Sequence, residues 1–580
     1  STENGLQVVL NIILENAPYW LEERHPEARY RAHDGTAMRL TAAINTPGGG
    51  WPGLCLDNPP VQEHAARVLR GVAERYRSHP ALLAYDLWNE PHMEPSWYYP
   101  DKLFCYCEAS LARFRSCLQA RYGGLEALNQ AWARRFGSWS QVLPPYTLEV
   151  YPDWLDWKRF WLENLRTWLA WKAEIVRAVD DRHPVMAHVA SSGYLGTLAT
   201  NTWDEWLLSG PVDYFGTSSF PKWLMENDPA VHMFHLEMVG AAARGKPFWQ
   251  SELQAGHSPS SADPEKPHPT PGEIRMWNWN VVASGAKGLL YWCWRPERLG
   301  PEAPGCALCN VGGEPSPRAA AAADMARRFQ DHPAIGHSEP VPSGLGIVVS
   351  RDMAILNYAG MRNMTLYARS LMGAYRAFWD QNVAVSFVHT DILPQAVAAG
   401  VKFLYYPLPQ VIDPGTAEAL VSFVEGGGVL VAEACPAHFD EHGWCATRIP
   451  GQGLERLFGV EEIETDRAHE VSLRLTAPLG ALAGGTLPGR LFHEALRPAG
   501  EARVLGVFPD GAAALTGHRY GRGEAYLVGT LPALAYEETS SPAAREFITA
   551  FWGLGTYRAA LRPACSEVKV RLHRHFGGYL

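Results

Sequence analysis

The sequence predicts a parallel (β/α)8 barrel of the TIM type followed by a second, open, doubly wound α/β domain. Three observations carry this. Short apolar runs alternate with longer helical patterns along the first half of the chain, which implies a parallel sheet. Two of those runs, Leu82-Leu83-Ala84-Tyr85-Asp86-Leu87-Trp88-Asn89-Glu90 and Pro247-Phe248-Trp249-Gln250-Ser251-Glu252, finish on a glutamate, where barrel enzymes place their chemistry. A Pro/Gly/Ser-rich joint at 335–345 then breaks the pattern before it resumes.

In order, residues 6–14 read as a buried strand and 61–78 as a helix closed at His79-Pro80. The run ending at Glu90 is the second strand. Further strands are expected at 184–190, 212–217, 246–252 and 286–293, with the aromatic stretch 154–179 as a helix by its periodicity. That makes six strands where a closed barrel needs eight. The chain also begins almost inside a strand, so an N-terminally incomplete barrel is expected over 1–335. Beyond the joint, strand-like runs at 345–350, 383–389, 402–407, 428–433 and 524–530, with helices between, predict the second domain over 345–560. Residues 561–580 read as strand and turn.

The length of 580 residues is too great for one core. A hydrophobic content of 47% with 19% charged residues fits a globular protein, and the net charge of −10 argues against nucleic acid and anionic membranes as partners. No run of eighteen apolar residues suggests a membrane span, and no charged-then-apolar leader opens the chain. Ten cysteines in 580 residues are too sparse for a disulfide scaffold, which favours a reducing, cytoplasmic setting. The 22 tryptophans suit both sugar stacking and core filling, and most are expected in the core.

A carboxylate on each of two strands is the minimum equipment for cleaving a glycosidic bond, so Glu90 and Glu252 are the candidate catalytic pair of a retaining glycosidase. Trp20, Trp139 and Trp294 are the candidate walls of the sugar site, with Trp294 expected to end the last barrel strand. A carbohydrate-binding protein without turnover, or an inactive fragment of such an enzyme, would show the same two glutamates.

The order of several segments resembles the family 42 β-galactosidases of glycoside hydrolase clan A. They include Ala17-Pro18-Tyr19-Trp20-Leu21, Ala73-Glu74-Arg75-Tyr76, Cys105-Tyr106-Cys107 and Leu128-Asn129-Gln130-Ala131-Trp132. After the second glutamate, Pro271-Gly272-Glu273-Ile274-Arg275-Met276-Trp277 and Trp292-Cys293-Trp294-Arg295 complete the likeness. By that resemblance, the first two strand–helix units and most of a C-terminal β-sandwich are absent, and the second domain is an amidotransferase-like trimerisation domain building a homotrimer. It implies Glu90 as acid/base, Glu252 as nucleophile, and Asn89 and Glu302 as sugar-binding residues. A retaining pair should lie ~5–5.5 Å apart, with Glu90 carrying a proton at working pH. No cofactor is implied for catalysis. A structural zinc is implied at Cys55, Cys105 and Cys107, with Ser110 where the family has a fourth cysteine.

The chain also departs from the family pattern. Leu54 precedes Cys55 where the family carries an arginine, Phe220 replaces a tyrosine that supports the nucleophile, Gly256-His257-Ser258-Pro259 replaces an Asn-Trp segment, and Gly305 stands at the position of a histidine. Lost hydroxyl partners weaken discrimination among sugars, so the reaction class is a firmer expectation than galactose. In the second domain, Leu408-Pro409 follows the strand where an amidotransferase would carry its cysteine, which predicts a structural role.

Overall fold

The computed structural model describes residues 2–40, 45–46, 48–257, 267–300, 302–554, 565, 568–575 and 578–579. They form two compact units. One comprises Ser1–Leu148, Asp156–Gly193 and Thr197–Ser338; the other comprises Glu149–Leu155, Tyr194–Gly196 and Glu339–Leu580.

The first unit holds one sheet of six strands: β1 (Val8–Asn11), β2 (Leu82–Asn89), β3 (Val185–Val189), β4 (Tyr214–Ser219), β5 (Phe248–Gln254) and β6 (Gly288–Trp292). They lie side by side in chain order, every pair parallel. Parallel strands covered on both faces read as continuous apolar runs, and all five residues of β3 are buried. Among the described residues the sheet is therefore a six-stranded arc rather than a closed ring of eight, with β1 and β6 at its edges. Leu290 on β6 is accordingly 41% exposed.

Between the strands run α1 (Pro59–Tyr76), α2 (Glu108–Tyr122), α3 (Pro152–Arg177), α4 (Pro229–Ala242) and α5 (Pro271–Ala283), with α6 (Pro317–Asp331) after β6. Five of these six begin with proline, whose fixed φ suits the first helical turn and whose missing N–H is no loss there. At α5, Thr270 and Glu273 cap each other's backbone N–H. Trp157, Trp161 and Trp168 of α3 are buried. Trp161 meets Trp168 edge-on at 5.9 Å, and Trp168 stacks on Trp88 of β2 at 6.1 Å. This is the core use of tryptophan that the composition suggests.

The second unit has nine strands in one mixed sheet: β7 (Leu345–Val349), β8 (Ser386–His389), β9 (Phe403–Tyr406), β10 (Val429–Ala432), β11 (Val460–Leu475), β12 (Thr486–Pro498), β13 (Arg503–Val507), β14 (Ala513–Tyr520) and β15 (Gly523–Val528). Their order is β8-β7-β9-β10-β15-β14-β12-β11-β13. The first five in that order are parallel and follow the sequence 2-1-3-4-5, one of the common doubly wound orders. The other four are antiparallel. They correct the expectation of helices through 433–524, where the structure has one short helix, Leu454–Phe458, and two hairpins. The middle of β11, Glu461-Glu462-Ile463-Glu464-Thr465-Asp466-Arg467, is largely exposed. With no face to bury, it carries no period-two apolar signal.

Of 561–580, the described part includes a small antiparallel ribbon in which His573–His575 pairs with Gly578–Tyr579 and Glu339–Pro340. The remainder of that stretch lies outside the described residues.

Candidate active site

Asn89 ends β2, and Glu90 follows it with φ +47°, a left-handed conformation that side-chain-bearing residues adopt at a cost of about 1–3 kcal/mol. The Glu90 N–H is held by the His188 carbonyl at 2.9 Å. The β2–β3 ladder slips between Asp86 and Asn89. Glu252 lies within β5, and the ladders on its two sides slip at Thr217/Ser218 and Gln250/Leu253. Such irregularities re-aim side chains near strand ends. The Gln250 side-chain amide pins this one by donating to the carbonyls of Thr217 and Glu252 at 3.0 and 2.7 Å.

A polar chain crosses the strand ends beneath these glutamates. Asn11 of β1 donates to Asp86 at 2.9 Å, Asp86 lies 3.0 Å from His188 Nδ1, and His188 Nε2 lies 3.4 Å from Glu252 Oε1. Burial alone would strip His188 of its proton, but the two carboxylates hold its pKa well above the ordinary imidazole value. Glu252 thus has a cation beside it. Burial pushes Glu90 up to about 7, helped by the negative charge of Glu252 and opposed by His188. Glu302 joins the group: Trp292 Nε1 donates to it at 2.8 Å, and its carboxyl is raised by burial and by the charge of Glu252.

The other expected residues fall differently. Asn89 sits opposite His188 in the ladder. Trp294 does not end the last strand: β6 stops at Trp292, and Trp294 is 62% exposed two residues on. Trp292, whose indole reaches Glu302, is the residue the strand delivers. Trp139 opens a short 3-10 turn, Trp139–Gln141, half-buried. Trp20 is 48% exposed and lies edge-on to His64 at 5.2 Å. It lines an apolar cavity of about 670 Å³ with Ile13, Leu54, Leu56 and Val61, and neither glutamate borders that cavity.

Next to Glu90 the structure places an aromatic group that the sequence reading missed. His92 Nδ1 bonds the Glu90 carbonyl at 2.5 Å, and the His92 ring neighbours Trp51, Trp97 and Trp203. Tyr98 packs edge-on to Trp51 at 4.8 Å, and its pKa is raised by burial and by Glu302. These residues come from distant segments, so no local pattern announces them. His188 did leave a signal, a lone titratable residue on an apolar strand.

Phe220 is buried against Trp223 at 5.1 Å, and the buried Ser218 hydroxyl stands beside Glu90, whose pKa it lowers. Of the segment 256–259, Ser258 and Pro259 lie outside the described residues.

Cys55, Cys105 and Cys107 are buried and bring their sulfurs within 4.8 Å of one another. Ser110 Oγ lies 3.3 Å from both Cys55 and Cys107 while donating to Asp57 at 2.7 Å. Hydrogen bonds from Cys105 and Cys55 hold the Cys107 thiol far below its usual range, while burial pushes the other two up. Three neighbouring sulfurs supply three of the four ligands that a structural zinc takes, and Ser110, whose hydroxyl is engaged by Asp57, is a poor fourth.

Two glutamates at the end of a parallel barrel-type sheet, one of them with its carboxyl raised by burial, are the equipment of a glycoside hydrolase. Residues 1–333 match the β-galactosidase profile of glycoside hydrolase family 42, and 349–549 match its β-galactosidase trimerisation domain. The chain belongs to this family. Similar proteins include β-galactosidase bgaB of Geobacillus kaustophilus, 24% identical over 91% of this chain and 76% of that protein. β-Galactosidase BglY of Alicyclobacillus acidocaldarius is 26% identical over 91% and 75%. Among solved structures, the Bacillus circulans β-galactosidase superposes with a TM-score of 0.86 at 20% identity, covering 100% of this chain and 83% of that one. A family 42 exo-carrageenase from Bacteroides ovatus gives 0.59 at 13% identity, over 90% and 74%.

Proposed function

We propose that the chain hydrolyses terminal β-galactosides or related glycosides with retention, with Glu252 as nucleophile and Glu90 as acid/base. The observation that carries this is the raised carboxyl of Glu90 in the same polar group as Glu252. Burial and the charge of Glu252 keep a proton on Glu90 up to about pH 7, while Glu252 sits beside the His188 cation. A carboxyl that burial keeps protonated near neutral pH suits the acid role.

In the first step Glu252 attacks the anomeric carbon as Glu90 gives its proton to the glycosidic oxygen, and the aglycone leaves as an alcohol. In the second, the Glu90 carboxylate takes a proton from water, whose oxygen displaces Glu252 and frees the sugar. Asn89 would hold the sugar 2-hydroxyl, an interaction that strengthens in the transition state. Glu302, steadied by Trp292, would accept from other sugar hydroxyls. Among the aromatic candidates, Trp51, Tyr98 and Trp292 have better support as sugar-facing walls than Trp20 or Trp139. His188 acts through Glu252 as a positioning residue in place of the hydroxyl missing at Phe220.

Galactose follows from the names of the relatives, and the exo-carrageenase among the structural neighbours is a reason to test other sugars. The second unit would take the amidotransferase-like trimerising role and assemble three copies. Cys55, Cys105 and Cys107, with a water completing the set, would hold a structural zinc away from the chemistry. No helix among the described residues is long and apolar enough to cross a membrane, and a cytoplasmic setting is the one that the sparse cysteines of the sequence favour.

The test is a panel of aryl β-galactoside, β-glucoside, β-fucoside and α-arabinoside with the protein and its Glu252→Gln variant. Release that the variant abolishes supports the reading and identifies the sugar. A folded chain that binds these glycosides without release is a carbohydrate-binding protein, and the proposal fails.

A further inference from the structure

A second group of metal-ligating side chains lies in the second unit, on elements that the glycosidase reading does not use. After β10 the chain turns through Glu433 and Ala434 to Cys435, which has φ +66°. Three residues on is His438, so the segment reads Cys-x-x-His, half of a common zinc-ligand pattern. Glu462 stands on β11 and Glu494 on β12, brought together across a ladder whose register slips between Glu462 and Glu464. One donor atom from each of Cys435, His438, Glu462 and Glu494 lies within 4.8 Å of all the others.

The local bonds already orient the donors. The Cys435 N–H donates to Glu494 Oε2 at 2.9 Å, and His438 Nε2 meets Glu462 Oε2 at 2.8 Å. One oxygen is left over. Glu494 is fully buried, and the partner left for its second oxygen is another carboxyl, Glu462. Two buried carboxyls left to each other, with no cation between them, are a costly arrangement, and a thiol beside them adds to the cost. A cation at the centre would remove the whole penalty.

We propose that Cys435, His438, Glu462 and Glu494 form a binding site for a divalent cation of the zinc class. A thiolate and an imidazole select zinc or cobalt over calcium and magnesium, which take all-oxygen shells. Zinc bonds of about 2.0–2.3 Å put neighbouring tetrahedral ligands roughly 3.3–3.8 Å apart, within reach of these donors after small side-chain movements. Four protein ligands leave no open position, so the ion is structural: it staples the loop after β10 to the β11–β12 hairpin. Binding releases the Cys435 thiol proton and the proton that Glu494 holds, burial having pushed that carboxyl up to about 8. The same Cys, His and Glu would also suit a nucleophilic triad, but Cys435 is fully buried and burial raises its thiol. That is the setting of an inert cysteine.

The test is the zinc content of the purified protein after dialysis against micromolar ZnCl2, with Cys435→Ser, Glu494→Gln and Cys105→Ser as variants, and anomalous diffraction above the zinc edge. Cys435→Ser and Glu494→Gln should each lose one equivalent that Cys105→Ser retains. An anomalous peak should touch Cys435 Sγ and His438, and zinc should raise the melting temperature of the parent further than that of Glu494→Gln, which keeps the Cys55, Cys105 and Cys107 group. The near-isosteric Glu494→Gln keeps the test valid if Cys435→Ser fails to fold. The proposal is overturned if no peak forms there, or if Glu494→Gln binds as much zinc as the parent. It is equally overturned if zinc leaves the parent's melting unchanged while zinc-free Glu494→Gln melts higher, since the two carboxyls then merely share a proton.

Discussion

Glu90 owes its role to its surroundings, and that makes its titration measurable. Its pKa is raised, so it carries a proton below about pH 7 and loses it above. Because the first step needs that proton, kcat/KM should fall with rising pH along a limb centred near 7, as read from a pH–rate profile. Glu90→Gln should lower kcat by about 10²–10⁴-fold on poor leaving groups and abolish that limb. His188 makes a sharper case. Its positive charge lowers the Glu90 pKa, so His188→Ala should move the limb to higher pH while kcat drops by about 10²-fold through a loosened Glu252. A residue that merely filled space would leave the limb where it was.

At the scale of elements, two helical glycines separate packing from propensity. Gly373 lies in a helix, Thr365–Asp380, packed on the helix Pro532–Thr539. A Cβ there would sit 2.0 Å from the Ala533 carbonyl oxygen. Gly373→Ala should therefore destabilise the fold by about 1–3 kcal/mol in denaturant titration. Gly71 of α1 has nothing within 4 Å, so Gly71→Ala should stabilise by about 0.5–1 kcal/mol. The same contrast explains what could be read in advance. β2 and β5 were legible because each is an apolar run that leads to a glutamate, although β5 continues past Glu252 to Gln254, and the cysteine cluster because two of its members are two residues apart. β11 was hidden because an exposed strand needs no apolar face. The Trp51, Trp97 and Trp203 group was hidden because only folding brings it together.

For the whole molecule, the trimerisation domain predicts a particle of three 64.2 kDa chains. Light scattering should find that mass, and a monomer at micromolar concentration would refute the homotrimer. The open sheet makes a second prediction. Among the described residues β1 and β6 are its edges, and each has one side of its backbone without a partner strand there. Hydrogen exchange should be faster there than in the wholly buried β3. The sequence count of six strands anticipated this arc, because each parallel strand announces itself by its own apolar run. How the arc ends is a matter of pairing, which no run of residues displays.

The left-handed backbone at Glu90 bears on how the sugar question can be answered. A fold that holds a glutamate at φ +47° spends stability on catalysis, and glycine would relieve both that strain and the burial of a carboxyl. Glu90→Gly should melt above the parent while turning over poorly activated glycosides at a negligible rate. Inactivation and robustness then come in one substitution, which makes that variant the trap for crystallising the intact natural substrate.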